Sequence, residues 1–275
     1  MNNPNTQGKL SGWIKAVSLL APGIPDWATG TQILRGDLPY QNTPTILPAP
    51  LGLPAAERRR ASRVIKLCIA LGTEATQSAG LAGKYLASVF SASNGDGHNI
   101  HAICEALAQP DRMVSPTRVH NSVHNAASGY WSIAAASMQA STVLAAFNAT
   151  FAAGLLEAVV QANSSPVPIL LLAYDSEYPE PIQSKRPMPD AGGIGLILTN
   201  VQDEQCLARI EINLEPTGSP TPMDNPALEN LRRSIPALEG LPLLAHLARG
   251  KVGMATDISL RYFEPTQLVI AIQPC

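Results

Sequence analysis

The sequence predicts an α/β fold in which helices cover a mixed sheet. Segments typical of strands and of helices alternate from Leu10 to Leu214, an order that favours helices layered on one sheet. The segment Pro168–Tyr174 contains five consecutive apolar residues, as expected for a strand that is covered on both faces. The composition, 45% hydrophobic and 15% charged in 275 residues, is that of a folded chain with a sizeable core.

The first elements are a strand, a loop and a helix. Leu10–Leu20 is predicted to be a strand, and the Pro- and Gly-rich segment Pro22–Pro50 a long ordered loop. Pro54 marks the start of a helix, since proline is favoured in the first helical turn. Apolar residues continue this helix at helical spacing, namely Val64, Leu67, Cys68, Leu71 and Ala75.

The middle of the chain alternates between strands and helices. Leu86–Phe90 predicts a short strand, Ser93–Gly97 a tight turn and Asn99–Leu107 a helix. Asn125–Met138 predicts the next helix, and Ser141–Phe147 predicts a strand that carries no charge.

The alternation ends in a hairpin. Ala149–Gln161 is rich in small residues and predicts a helix that leads to the buried strand Pro168–Tyr174. Gly193–Thr199 and Leu207–Leu214 predict the two strands of a closing hairpin.

The character of the chain changes after Glu215. A Pro-rich connection precedes the segment Ala227–Leu247, which is predicted to be helical, and Ile258–Phe263 and Gln267–Gln273 predict a final strand pair. We therefore predict three parts. These are a disordered N-terminus at residues 1–7, a domain at residues 8–215, and a short C-terminal α+β extension at residues 216–275 that packs on the same domain.

Charge and cysteine content argue against several classes of protein. The formal net charge of −2 gives no electrostatic argument for nucleic-acid binding. The basic run Arg58–Arg60 lies in a helical pattern and is interpreted as a solvated helix face, with an anion site as the alternative. No signal-peptide pattern or membrane-spanning apolar run is present, which predicts a cytoplasmic protein. No CxxC pair occurs, which indicates reduced thiols at Cys68, Cys104, Cys206 and Cys275.

The segment from Ser115 to Glu177 is the most informative part of the sequence. It contains Ser115-Pro116, the pattern Asn125-x-x-x-Gly129 at a helix start, an apolar strand, and a second strand that ends near Glu177. In this register it resembles the central segment of a β-ketoacyl synthase of the thiolase superfamily. The resemblance implies a thiolase-like layered half-fold, with a mixed five-stranded sheet covered by helices and a short C-terminal extension in place of the second half.

Two further phrases narrow this resemblance. Ser93–His98 and Ser122–Ala126 resemble the truncated ketosynthase-like proteins that contain only the N-terminal domain. Such proteins occur in bacterial aryl-polyene-type gene clusters beside an intact ketosynthase. There they resemble a chain length factor, the non-catalytic half of a ketosynthase heterodimer.

The resemblance implies that the family's catalytic groups are absent here. The reactive cysteine of a ketosynthase stands at a helix N-terminus, and that position falls on Asn148, or on Phe147 if the register differs by one residue. Neither residue forms a thioester, and we expect Asn148 to cap the helix instead. Both catalytic histidines of the family come from the second half, whereas the only histidine past His124 is His246, in an apolar helical stretch. We expect no catalytic residue, cofactor or metal.

The expected function is that of a non-catalytic, chain-length-factor-like subunit. It pairs with a catalytic β-ketoacyl synthase, and transiently with an acyl carrier protein, and shapes the acyl tunnel in polyene or fatty-acid-type chain elongation. In the family, the loop after Ser-Pro lines the partner's acyl pocket, which places Thr117, Arg118 and Val119 in the tunnel wall. The family also pairs one strand with its twin across the dimer. That strand corresponds to Ser141, Thr142, Val143, Leu144, Ala145, Ala146 and Phe147.

Two alternatives from other classes of protein stay open. The first is an enzyme of unknown type that uses His98 and His101, three residues apart and close to Asp96, as metal ligands, or that uses His124. We interpret Asp96 as part of the turn and His98 as a helix cap. The second alternative is a homodimeric scaffold protein.

Overall fold

The computed structural model describes residues 10–250 and 253–275, which form an eight-stranded mixed sheet with helices on both faces. The predicted disordered N-terminus, residues 1–7, lies outside the described residues. No helix in the described ranges is long and apolar enough to cross a membrane. The elements follow in the order β1 (Leu10–Leu20), α1 (Trp27–Arg35), α2 (Ala55–Arg60), α3 (Arg63–Ser78), β2 (Ala87–Ser91), α4 (Gly97–Ala108), α5 (Pro116–Ser122), α6 (Ala126–Ala134), β3 (Ser141–Leu144), α7 (Thr150–Asn163), β4 (Ile169–Asp175), α8 (Ile182–Lys185), β5 (Gly192–Thr199), β6 (Ala208–Pro216), α9 (Pro226–Ser234), α10 (Leu241–Arg249), β7 (Thr256–Arg261) and β8 (Thr266–Pro274).

The strand order in the sheet is β3-β2-β4-β5-β1-β6-β8-β7. β2 pairs in parallel with β3 and β4, and the other neighbours are antiparallel. β4 is buried along its whole length between β2 and β5, as its continuous apolar run predicts. β3 lies at one edge of the sheet and β7 at the other.

Different helices cover the two faces of the sheet. Leu171 of β4 belongs to an apolar cluster that includes Leu155 of α7. Its neighbours Leu170 and Leu172 belong to a second cluster that includes Leu71 of α3. Because successive residues of a strand point to opposite faces, α7 and α3 lie on opposite sides of β4. All five leucines are fully buried, and each contributes roughly 1.5–3 kcal/mol by burial.

The sheet is larger than the five strands that the resemblance implies. β8 pairs with β6 from Ala208 to Pro216, and β7 pairs with β8. Leu268, Ile270 and Ile272 of β8 are fully buried in the same cluster as α7. The C-terminal strands therefore continue the sheet beyond β6, since their apolar face is covered by the same core.

Two predictions near the N-terminus are wrong in part. The segment Pro22–Pro50 is not a loop throughout, because it contains α1. The side chain of Asp26 caps the start of α1, and Gly36 ends it in the left-handed conformation with φ 89°. The single helix predicted from Pro54 is two helices, α2 and α3. Ser62 separates them and caps the start of α3 with its hydroxyl.

Later segments also differ from prediction, and the predicted closing hairpin does not form, because β1 lies between β5 and β6 in the sheet. The predicted tunnel loop Thr117–Val119 lies in α5, because Pro116 occupies the first turn of a helix there. The strand predicted over Ser141–Phe147 pairs only within β3. The helix predicted over Ala227–Leu247 is divided into α9 and α10 by a short 3-10 turn that begins at Pro236.

Candidate functional site

The turn between β3 and α7 is sharp and strained. Residues 147–149 form one turn of 3-10 helix between the end of β3 and Thr150, where α7 begins. Phe147 has φ 53°, in the left-handed region that a bulky side chain rarely adopts. A strained strand-to-helix turn exposes one side chain at the end of a strand, and nucleophile elbows present their reactive group in this way. Of Phe147 and Asn148, it is Phe147 that has this conformation.

Thr150 holds the strained turn in place. Its Oγ1 donates a hydrogen bond to the Phe147 carbonyl at 2.7 Å and accepts one from the Ala146 amide at 3.3 Å. The Thr150 side chain is fully buried, and its carbonyl accepts a hydrogen bond from Ser91 Oγ at 2.7 Å. The turn is therefore joined to the end of β2, and this packing offsets the backbone strain.

Arg186 contacts both residues at the turn. Its guanidinium lies 3.7 Å from the centroid of the Phe147 ring, and its Nη2 donates a hydrogen bond to Asn148 Oδ1 at 3.3 Å. The expectation that Asn148 caps α7 is wrong, since the N-cap of α7 is Ala149 and no side chain caps it. No pattern in the sequence indicated the contact with Arg186, which lies 38 residues from Asn148 in the chain.

A groove of about 360 Å³ lies beside this turn. Phe147 and Asn148 form one wall, and Tyr262, Phe263 and Glu264 of the β7–β8 turn form the other. No cysteine or histidine in the described part of the chain lines the groove. The groove therefore offers neither a thiolate nor an imidazole for acyl transfer.

Asp175 is a buried carboxylate at the end of β4. It accepts hydrogen bonds from the Ser93 amide at 2.9 Å, from Ser93 Oγ at 2.6 Å and from the Ala237 amide at 2.9 Å. Burial raises the pKa of Asp175 to about 6, although these hydrogen bonds oppose the shift. The carboxylate ties the ends of β2 and β4 to the turn before α10, a connection that the sequence did not reveal.

The structure does not bring the candidate histidines together. His98 Nε2 lies 3.7 Å from Glu177 Oε1, whereas His101 Nε2 lies 3.2 Å from Glu105 Oε1, so the two rings contact different carboxylates. Asp96 caps α4 by accepting a hydrogen bond from the Asn99 amide at 3.0 Å, whereas His98 is the second residue of that helix and not its cap. Among residues 10–250 and 253–275, no group of three His, Cys, Asp or Glu side chains is placed to hold a metal ion.

His124 contacts the backbone at the end of β3. Its Nε2 lies 3.2 Å from the Leu144 carbonyl oxygen at the end of β3. His246 lies in α10, far from the strand-to-helix turn in sequence. It does not line the groove beside that turn. None of the histidines therefore lines the groove beside Phe147.

The strand predicted to form a dimer interface is an edge strand. β3 pairs only with β2, and the carbonyls of Ala140 and Leu144 accept hydrogen bonds from that strand at 3.0 and 3.2 Å. Because backbone direction alternates along a strand, Ser141 and Val143 turn their amides toward the open edge. Thr142, Val143 and Leu144 are half-buried, Ser141, Ala145 and Phe147 are exposed, and Ala146 is buried.

The predicted tunnel residues lie in the first turn of α5. Arg118 and Val119 are exposed and Thr117 is half-buried. Thr117 and Arg118 line a cleft of about 530 Å³ that also reaches Arg59 and Arg63. The sequence placed these residues in one loop but did not indicate that arginines from three separate helices share a cleft.

Comparison with known proteins identifies the fold. The sequence profile described as "Beta-ketoacyl synthase, N-terminal domain" matches residues 27–255. The complex of the ketosynthase ApeO with its chain length factor ApeC from Xenorhabdus doucetiae is similar in structure, with a TM-score of 0.70 and 20% identity over 96% of this chain and 100% of the other. A search of curated proteins gave no match.

Two further solved structures share the fold. The ishigamide ketosynthase/chain length factor has a TM-score of 0.72 at 12% identity, over 96% of this chain and 99% of the other. A type II PKS acyl-carrier protein in complex with its ketosynthase bound to the hexaketide, AntDE:AntF, has a TM-score of 0.72 at 10% identity, over 97% of this chain and 100% of the other. Together with the profile match over most of its length, the thiolase-like sheet shows that this chain belongs to the β-ketoacyl synthase N-terminal domain family.

Proposed function

We propose that this chain is a non-catalytic, chain-length-factor-like subunit of a ketosynthase heterodimer. It pairs with a catalytic β-ketoacyl synthase and shapes the tunnel that holds the growing acyl chain in polyene or fatty-acid-type elongation. The observation that carries the proposal is the strained strand-to-helix turn at Phe147 and Asn148, the two residues that the resemblance matches to the family's nucleophile position.

The chemistry of the turn supports a non-catalytic role. Claisen condensation through an acyl-enzyme needs a thiolate, and neither a phenyl ring nor an amide replaces it. None of the four cysteines lies between Ser115 and Glu177. Cys68 is fully buried in α3, and burial raises the pKa of its thiol well above the ordinary value, which disfavours the thiolate.

The open edge of β3 supports a partner subunit. Ser141 and Val143 direct unpaired backbone groups outward, and an uncovered edge strand without charge favours pairing with another chain. Large apolar side chains of α6, α7 and the segments on either side of β3 in the sequence are also exposed: Ile133 at 47%, Met138 at 97%, Phe147 at 60% and Val160 at 44%. An interface of the size of stable heterodimers, on the order of 2,000 Å² or more, would cover such a surface.

The similar solved structures favour a ketosynthase as the occupant of this surface. Two of them are described as a ketosynthase with its chain length factor, and a third as an acyl-carrier protein with its ketosynthase. A chain without its own nucleophile gains a role in elongation by completing the tunnel of a catalytic partner. The acyl carrier protein is then a transient partner of the pair, as in aryl-polyene-type pathways.

Co-expression tests this proposal. An intact ketosynthase gene is expected beside the gene for this chain, and the two products are expected to co-elute from size exclusion as a one-to-one complex. Condensation by the pair is expected to require the ketosynthase's cysteine and to be absent from this chain alone. A stable homodimer of this chain that does not co-elute with the ketosynthase would support the scaffold alternative and overturn the proposal.

A further inference from the structure

A cleft of about 530 Å³ opens where α2, α3, α4 and α5 approach the loop after β4. Four arginines from three helices line it: Arg59 and Arg60 of α2, Arg63 of α3 and Arg118 of α5. Two of them come from the basic run at residues 58–60. That run is therefore more than a solvated helix face, because the fold directs part of it into a cavity.

The cleft is positive in a chain that is slightly negative. Its four guanidinium groups face two carboxylates, those of Asp96 and Glu177, which leaves a formal charge of +2, whereas the whole chain carries −2. Both carboxylates already have partners. Asp96 caps α4 at 3.0 Å, and Glu177 Oε1 lies 2.8 Å from Arg63 Nε.

Within residues 10–250 and 253–275, two of the arginines have no acidic partner. Arg60 pairs with Glu57 at 3.2 Å, and Arg63 pairs with Glu177 and Asp190. No carboxylate of the described residues forms an ion pair with Arg59 or Arg118. Two arginines from different helices therefore line the cleft without an ion-pair partner among the described residues.

We infer that this cleft binds an oxyanion, a carboxylate or phosphate group carried by a small molecule. A guanidinium group offers a planar fork of N–H donors that matches either oxyanion with two parallel hydrogen bonds. The volume lies within the range of small-molecule sites, roughly 300–1,000 Å³, and a concave cleft receives a small ligand better than a flat acidic protein surface. The inference goes beyond the proposed heterodimer, since it concerns the isolated chain.

Isothermal titration calorimetry of the isolated chain at low salt tests this inference. The probes are inorganic phosphate and succinate, with succinamide as a neutral molecule of the same length. We expect saturable binding of at least one anion and none of succinamide. Arg59→Gln and Arg118→Gln are each expected to weaken binding about tenfold, as loss of a charge-assisted hydrogen bond does. Both side chains are exposed, so the variants are expected to fold.

Arg233→Gln is the matched control, because Arg233 is an exposed arginine of α9 outside the cleft, and its loss is expected to leave binding unchanged. Binding of phosphate alone identifies a phosphate group as the ligand chemistry, and binding of succinate alone identifies a carboxylate. Absence of saturable binding by either anion overturns the inference. An equal loss in Arg233→Gln also overturns it, since general attraction to positive charge then explains the binding.

Discussion

Arg186 places its guanidinium over the Phe147 ring, with 3.7 Å between Cζ and the ring centroid, at the strained turn between β3 and α7. The same guanidinium donates a hydrogen bond to Asn148. Phe147 and Asn148 are therefore both contacted by a cation that comes from a loop beyond β4. A cation over an aromatic ring contributes about 0.5–1 kcal/mol at an exposed site, which favours this arrangement over an open pocket.

Restoring the nucleophile is expected to leave the chain inactive. Phe147→Cys places a thiol at the strained turn, where we expect iodoacetamide to alkylate it. Condensation in a complex whose partner carries Cys→Ala is nevertheless expected to stay at background, because the family's two histidines have no counterpart in the groove. Asn148→Cys places the thiol at the other candidate position and is expected to be equally inactive. Turnover above background in either variant would contradict the non-catalytic role.

Thr150, not Asn148, is expected to stabilise the strained turn. Thr150→Val keeps the shape of the side chain but removes both hydrogen bonds to Phe147 and Ala146, which is expected to lower the free energy of unfolding by about 1–3 kcal/mol. Asn148→Ala is expected to change it by less than about 0.5 kcal/mol, since Asn148 does not cap α7. Urea unfolding midpoints of the two variants check this order, and the reverse order would restore Asn148 as the cap.

Local patterns predicted most of the elements of the α/β fold. β1 and β4 lie where their apolar segments indicate, and α3 follows the helical spacing of its apolar residues. α1 was missed because the abundant prolines and glycines around it favoured a loop, although Asp26 and Gly36 are ordinary start and stop signals. The pairing of β6 with β8 joins residues that lie between 50 (Pro216 and Thr266) and 66 (Ala208 and Pro274) positions apart, and no local pattern reveals such a contact.

The candidate site was less predictable than the fold, because its contacts join distant parts of the chain. The resemblance left the nucleophile position open between Asn148 and Phe147, and the sequence did not indicate that Phe147 has a left-handed backbone or that Asn148 contacts Arg186. Arg186 and the Asp175–Ala237 hydrogen bond depend on loops that meet only in the folded chain. Thr117 was predicted to lie in a loop but lies in α5, because proline is favoured in the first turn of a helix as well as in loops.

Positive charge on the open edge of the sheet is expected to abolish the heterodimer. Val143→Lys places an ammonium group on β3, where burial against a partner strand leaves it without a counter-ion. Ser141→Pro is a second variant, because proline is tolerated at the first residue of an edge strand but removes the outward amide donor. Co-purification with the ketosynthase is the measurement, and far-ultraviolet circular dichroism confirms folding.

Asp257→Lys on β7 is the control for the edge-strand variants. It introduces the same side chain at an exposed residue of the opposite edge of the sheet, and it is expected to preserve the complex. One-to-one co-purification of folded Val143→Lys and Ser141→Pro would show that β3 is not the interface.

Asp175 is expected to make the chain more stable as the pH falls toward 4. Its folded-state pKa of about 6 is higher than the ordinary value of 3.8, because the carboxylate is buried. Between these pH values the folded state binds more protons than the unfolded chain, so the free energy of unfolding decreases as the pH rises from about 4 to about 6. A shift of this size corresponds to a change on the order of 3 kcal/mol.

Asp175→Asn is expected to reduce this pH slope. Urea unfolding at pH 4, 5, 6 and 7 measures it, and Asp257→Asn, an exposed carboxylate on β7, is the control. A residual slope is expected, since burial raises the pKa of Glu74 to about 7 and contributes in the same direction up to that pH. An unchanged slope between pH 4 and 6 in Asp175→Asn would assign the effect to another group.

Larger side chains on α5 are expected to shorten the products of the reconstituted pair. Thr117→Trp and Val119→Phe extend apolar bulk from the first turn of α5, which by resemblance borders the partner's acyl chain. A filled tunnel end stops elongation early but leaves the first condensation free, so its rate is expected to stay within about twofold of the wild-type rate. Mass spectrometry of the products measures chain length.

Val201→Trp, at an exposed residue in the loop between β5 and β6, is the control and is expected to leave product length unchanged. Products of normal length from both α5 variants would remove this helix from the tunnel wall, and the subunit would then act only by holding its partner in an active conformation.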